Sequence, residues 1–207
     1  MKSGELKKER NKGALQLAAM KEKKKRHKQA KVLRVFRKIH RISGVILVVF
    51  FLIISVTGLL LGWKKHSNGI LLPKSQIGTS TNLEDWQPID SLHKSACNYF
   101  RDSVSSDLKP ELERIDIRKD KGMVKFVFSE KFTEIQLDGA TAKLLSIHTR
   151  RSDFIEKVHD GSILDYYFGT SNGQIKLIYT TLMGLSLLLF VITGFWLWYG
   201  PKRMRKK

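Results

Sequence analysis

Of the residues in this 207-residue chain that could do chemistry, six are histidines, and His40 and His159 stand apart by their neighbours. His40 sits among Arg37, Lys38 and Arg41 at the head of a long apolar run, with Gly44 one helical turn on along the same face. An imidazole there can ligate a metal. The glycine leaves room for a flat macrocycle against the backbone, and Arg37 and Arg41 can pair with its carboxylates. The same residues also read as an ordinary juxtamembrane histidine in a polybasic segment. His159 lies in the amphipathic segment 153–164 and reads either as a ligand or as a surface histidine capping a helix that stops at Gly161. His27 in the basic tail, His66 behind Trp63, and His93 and His148 between the apolar runs read as surface, interfacial or structural residues.

Several other chemistries find no support. Cys97 is the single cysteine, so no intramolecular disulfide forms, and no Cys-x-x-Cys-His is present for covalent c-type haem attachment. Neither a phosphate-binding glycine loop nor a dinucleotide fingerprint occurs. Asp153, Glu156, Asp160 and Asp165 lie near His159, but their spacing reads as a solvated helical face rather than a metal cage. No hydrolytic constellation is visible and no catalytic residue is assigned.

The elements that must position the histidines follow from charge segregation. Residues 42–63 and 177–199 contain no Asp, Glu, Lys, Arg or His. At about 1.5 Å per residue each run covers about 33 Å, enough for a hydrocarbon core of about 30 Å. Residues 1–41 carry 16 basic and 3 acidic side chains, residues 200–207 carry 5 basic and none acidic, and the stretch between is nearly balanced. The positive-inside rule then puts a basic tail and juxtamembrane helix (1–41) and a short basic tail (200–207) in the cytoplasm, with 64–176 outside. Some 40 residues before the first span are too many for a signal-peptide n-region, so an uncleaved anchor is expected. Topology and anionic membrane lipid account for the charge, and no nucleic-acid partner is expected.

Within the spans, Gly58-x-x-x-Gly62, extended by Ser55, is a small-residue helix-contact motif. Val56-Thr57-Gly58 and Ile192-Thr193-Gly194 form a faint internal repeat, one near the end of each run. Trp196, Trp198 and Tyr199 read as an interfacial aromatic belt. In the outer region, Asp90 is placed to cap a helix carrying Leu92, Ala96, Tyr99 and Phe100 on one stripe. The period then changes to two at Ile115/Ile117, Val124/Phe126/Phe128, Ile135/Leu137 and Leu145/Ile147, with Asp138-Gly139 as a hairpin signal. The predicted fold class is membrane α-helical, two transmembrane helices with an inserted small α+β domain.

A helix followed by strands and the closing hairpin at 135–145 resembles a PepSY domain. Arg37-Lys38-Ile39-His40-Arg41-Ile42-Ser43-Gly44, Val56-Thr57-Gly58, Val158-His159-Asp160-Gly161 and Ile192-Thr193-Gly194-Phe195-Trp196 resemble, in this order, the PepSY-associated transmembrane family. That resemblance extends to inner-membrane ferric-siderophore reductases. It implies a bacterial cytoplasmic-membrane protein, b-type haem ligated by His40 and His159, and electron transfer toward a ferric chelate or other redox partner. Larger members have four spans with further histidines, whereas neither apolar run here contains one. His40 on the inner side and His159 on the outer are about 30 Å apart, so one iron cannot take both. A homodimer, or a related membrane subunit, would supply the missing ligands. The competing expectation is a non-redox, membrane-anchored PepSY module that binds or restrains peptidases or envelope partners.

The charge segregation makes a direct prediction. Reporters fused at either terminus will behave as cytoplasmic, and one inserted near Gly78 will be exported; an exported C-terminal fusion overturns this orientation.

Overall fold

A computed structural model describes residues 2–107 and 109–205; Met1, Leu108 and the last two lysines of the C-terminal basic tail, Lys206 and Lys207, lie outside the described residues. The chain divides into two units, residues 1–52 with 177–207, and residues 53–176. Two helices are long and apolar enough to cross a membrane. Helix α1, Lys2–Gly62, is continuous from the basic tail through the first apolar run. Its tail is rich in Lys, Ala, Leu and Gln, which lose little freedom in a helix, and it contains no proline. Helix α5, Gln174–Arg205, carries Pro201 in its last turns.

In the first unit α1 and α5 pack antiparallel along one narrow stripe. Gly200 meets Leu33, Phe36 meets Trp196 at 6.0 Å, His40 meets Thr193, and Gly44 meets Phe190. A Cβ on Gly200 would stand 2.6 Å from Leu33 Cδ2, so glycine is what lets the helices close at that level. Only 6% of the most apolar window of each helix is buried. Most of the other residues in both apolar runs are exposed, as helices facing hydrocarbon require.

The second unit holds a four-stranded antiparallel meander, β1 Leu112–Arg118, β2 Met123–Phe128, β3 Thr133–Asp138 and β4 Leu144–Thr149, in that spatial order. Helix α2, Ile89–Ser103, lays Leu92, Ala96 and Phe100 on Val124, Phe126, Phe128, Ile135 and Leu137, all fully buried. Phe126 stands opposite Ile135, and Ile135 opposite Ile147, so period-two positions build one face. The opposite face is buried as well: Lys125, Glu134, Gln136 and Asp138 are all at most 3% exposed. Residues 71–80 cross that face, and α3, Arg151–His159, is tied to its edge through Asp153. Helix α4, Ser162–Phe168, follows after Gly161 at φ 78°, so the segment 153–164 is two helices joined at a left-handed glycine.

One local expectation is corrected, and the hairpin expected at Asp138-Gly139 joins β3 to β4. Helix α2 begins at Ile89 after Pro88, and Asp90 lies in its first turn instead of capping it; its carboxylate still favours the positive end of the helix. The β3–β4 turn spends its left-handed residue at Ala142, φ 57°, not at Gly139. Asp138 organises the turn by accepting from the amides of Ala140 and Thr141. Gly139 is needed for space, since a Cβ there would lie 2.5 Å from the Trp86 ring.

The buried polar face sets the acid sensitivity. Glu134 accepts from Lys125 Nζ at 3.1 Å and from Arg150, and Asp153 accepts from Arg150 at 2.8 Å and Arg114 at 2.7 Å. Burial pushes the Asp153 carboxyl up, but the two guanidinium groups outweigh it and hold it below the usual carboxylate range. Asp138 is also held low: four hydrogen bonds, from Thr79 and the turn amides, outweigh its burial. A carboxyl with a lowered folded pKa contributes stability above its unfolded value, about 3.9, and loses it as pH falls through the folded value. Thermal unfolding followed by tryptophan fluorescence should therefore hold steady from pH 7 to about 5 and fall below about 4. Glu134→Ala, which strands buried Lys125 and leaves Arg150 with Asp153 alone, should cost about 3–5 kcal/mol at neutral pH.

Candidate functional site

His40 is half-buried on α1, on the stripe that faces α5. Its Nδ1 lies 2.8 Å from Thr193 Oγ1. That hydroxyl is itself 2.7 Å from the Leu189 carbonyl oxygen one turn back along α5. A hydroxyl has one proton, and a carbonyl oxygen at that distance requires it. Thr193 therefore donates to Leu189 and accepts from His40 Nδ1–H, which leaves the lone pair on Nε2. No hydrogen bond to Nε2 is found among the described residues. The ring packs edge-on against Phe190 at 4.7 Å, and a Cβ on Gly194 would reach 3.9 Å from its Cε1. Gly44 backs Phe190, with 3.6 Å to a would-be Cβ. Arg37 and Arg41 are each one residue from the packed stripe and are exposed.

The second unit repeats the arrangement with different elements. His159 ends α3, and its Nδ1 lies 2.8 Å from Thr57 Oγ1 near the end of α1. Thr57 is 2.6 Å from the Ile53 carbonyl oxygen, so it too has given its proton away and accepts from Nδ1–H. Here the glycine is Gly58, whose Cβ would stand 3.4 Å from His159 Cε1. Thus the Thr-Gly pair near the end of each apolar helix serves a histidine that precedes the other. Thr57 and Thr193 were legible only as a repeat, since their partners lie 102 and 153 residues away.

The contacts around His159 revise its neighbourhood. Asp153, Asp160 and Asp165 are not a solvated face, whereas Glu156 is exposed. Asp153 is 7% exposed and paired, Glu156 lies 3.7 Å from Lys64, and Asp160 binds Lys176 at 2.5 Å and Ser162. Asp165 accepts from the amides of Ile175 and Lys176 and so caps the start of α5. Burial raises the Asp160 carboxyl, and Lys176 with Ser162 brings it below its ordinary value. The small-residue motif is also divided: Gly58 abuts His159 of its own chain, while nothing lies within 4 Å of a Cβ on Gly62.

The remaining histidines have structural surroundings. His93 stacks on Phe126 at 5.9 Å and touches Cys97 Sγ, and His66 packs on Trp63. Burial, partly offset by Arg101, pushes the Cys97 thiol up and away from reactivity. Trp196 packs on Phe36 inside the helix pair, whereas Trp198 lies exposed under Lys202 at 3.9 Å. Among the described residues no group of three or more His, Cys, Asp or Glu is placed to hold a metal ion.

The family described as PepSY-associated TM region matches residues 37–207 of the chain. No curated protein matches the chain, and no solved structure does.

The hydroxyl geometry predicts a tautomer. In nitrogen-resolved NMR of the detergent-solubilised chain without added ligand, His40 and His159 should carry their proton on Nδ1. Thr193→Val and Thr57→Val should each release the ring they hold toward Nε2–H, and Thr→Ser should restore it. A valine variant that leaves its histidine unchanged would mean that the threonine does not set the tautomer.

Proposed function

The chain belongs to the PepSY-associated TM family, and from that premise we propose that it is a haem-dependent electron-transfer protein of the bacterial cytoplasmic membrane, passing electrons outward to a ferric chelate. The observation that carries this reading is the paired His–Thr geometry. A metal-ligating histidine characteristically donates its other ring nitrogen to a neighbouring acceptor, which fixes both tautomer and ring orientation. His40 and His159 each have that arrangement, with Nε2 left available. Glycine lies beside each ring, where a side chain would crowd a flat macrocycle.

A b-type haem bound at each histidine would supply a one-electron iron couple. The protein's part is to hold His40 and His159 in their donor tautomers and to exclude water with the apolar faces around them. Exposed Arg37 and Arg41, next to His40, are suited to haem propionates. In this reading His40 stands on the inner side of the membrane and His159 on the outer, about 30 Å apart, so each needs its own iron. Each chain offers one nitrogen per site, and a two-fold dimer would bring the second. Both termini lie in the cytoplasm in this reading, and residues 64–176 outside.

Haem content separates the sites. His40→Ala and His159→Ala should each remove roughly half the haem measured by pyridine haemochrome, and His93→Ala none. Either ligand variant should abolish reduction of an impermeant ferric chelate by oriented vesicles. Full haem in both variants would dispose of the ligand assignment, and a colourless wild-type protein from haem-sufficient cells would favour a non-redox envelope module.

A further inference from the structure

The sheet face away from α2 carries a second built feature, with no part in holding His40 or His159. Residues 71–80 are pinned across it by a buried side chain: Gln136 accepts from the Gln76 amide at 2.9 Å and donates to the Lys74 carbonyl at 3.0 Å. The Ser152 amide donates to the Leu71 carbonyl at 2.8 Å and fixes the start of the crossing. Between this strap and the end of β1 opens a cleft of about 500 Å³.

Its floor includes Lys125 and Arg150, 3% and 8% exposed. Beneath it three cations, Lys125, Arg150 and Arg114, share two buried carboxylates, Glu134 and Asp153. The rim adds Lys65 and Lys74 from the strap side and Arg118 and Lys121 from the β1 side. None of these four has an ion-pair partner among the described residues. The two carboxylates on the wall are Asp116 and Asp120, and Asp116 already lies 3.8 Å from Arg114. The floor cations are matched by carboxylates, since Arg114 also pairs with Glu113 and Asp116, and positive charge is in excess at the rim, around a space within the range of small-molecule sites and larger than a phosphate ion needs. Cations on opposed walls suit charge spread over a molecule better than charge gathered on one phosphorus.

We propose that this cleft binds a small, soluble, multiply charged anion of the polycarboxylate class. The strap holds the Lys74 backbone in place before the ligand arrives, and the buried ion pairs hold Lys125 and Arg150, so little ordering accompanies binding. An anionic lipid headgroup has the same chemistry, and Lys65 closely follows the end of the first apolar run. The proposal commits to the soluble source. It is independent of haem.

Isothermal titration of the full-length chain in nonionic detergent at low salt, with citrate as probe and inorganic phosphate for comparison, tests it. Saturable citrate binding at one site per chain, tighter than phosphate, is expected. Arg118→Gln with Lys121→Gln should weaken it by roughly tenfold, while Lys94→Gln with Lys109→Gln, which removes equal charge outside the cleft, should leave it unchanged. Absence of citrate binding, or equal weakening by both pairs, overturns the proposal. Repeating the titration in nanodiscs of phosphatidylcholine and of phosphatidylglycerol separates the sources. Citrate binding in both supports the soluble anion, and its loss only with the anionic lipid assigns the cleft to a headgroup and overturns it.

Discussion

A threonine hydroxyl on a helix has one proton, and when it returns that proton to a carbonyl one turn back it becomes an acceptor only. The two histidine sites depend on this constraint. Thr193 and Thr57 are each bonded to their own helix at 2.6–2.7 Å, so the imidazole beside each must donate. That single preference decides which ring nitrogen carries a lone pair. It also ties helix to helix in the first unit and α3 to the end of α1 in the second. In an apolar surrounding such bonds contribute about 0.6–2 kcal/mol each, and their larger effect is orientation.

The second unit uses its polar groups differently. An antiparallel sheet of this size commonly leaves one face to water, yet here β2 and β3 are buried on both faces. The apolar face is closed by α2 through ordinary hydrophobic packing. The other is closed by a strap and by α3 over charged residues, which is tolerable only because each buried charge has a partner. Gln136 is the hinge of this arrangement, serving the strap on one side and Glu134 at 2.6 Å on the other. Truncating it would unpin the strap and leave Glu134 with a weaker shell.

Two local readings failed. Asp90 has the position of a helix cap, but Pro88 takes that place and Asp90 falls in the first turn. Asp153, Asp160 and Asp165 have helical surface spacing, but Arg150, Lys176 and the first amides of α5 take their oxygens. For these three carboxylates the residue type was informative, and most of the partners lay too far along the sequence for spacing to reveal them.

What the sequence determined by itself was whatever depends on composition over a window or on local period. The two uncharged runs, the basic ends, the helix stripe of α2 and the alternating strands were all legible, because hydrophobic burial and backbone geometry act over a few neighbouring residues. The family was legible too, through ordered motifs from Arg37 to Trp196. Tertiary structure alone decided which atoms meet: Thr193 with His40, Thr57 with His159, Gln136 with the strap, and four rim cations around one cleft. Those are hydrogen bonds and charges between residues up to 153 positions apart. Their strength falls away within a few ångströms, so only the folded chain could specify them.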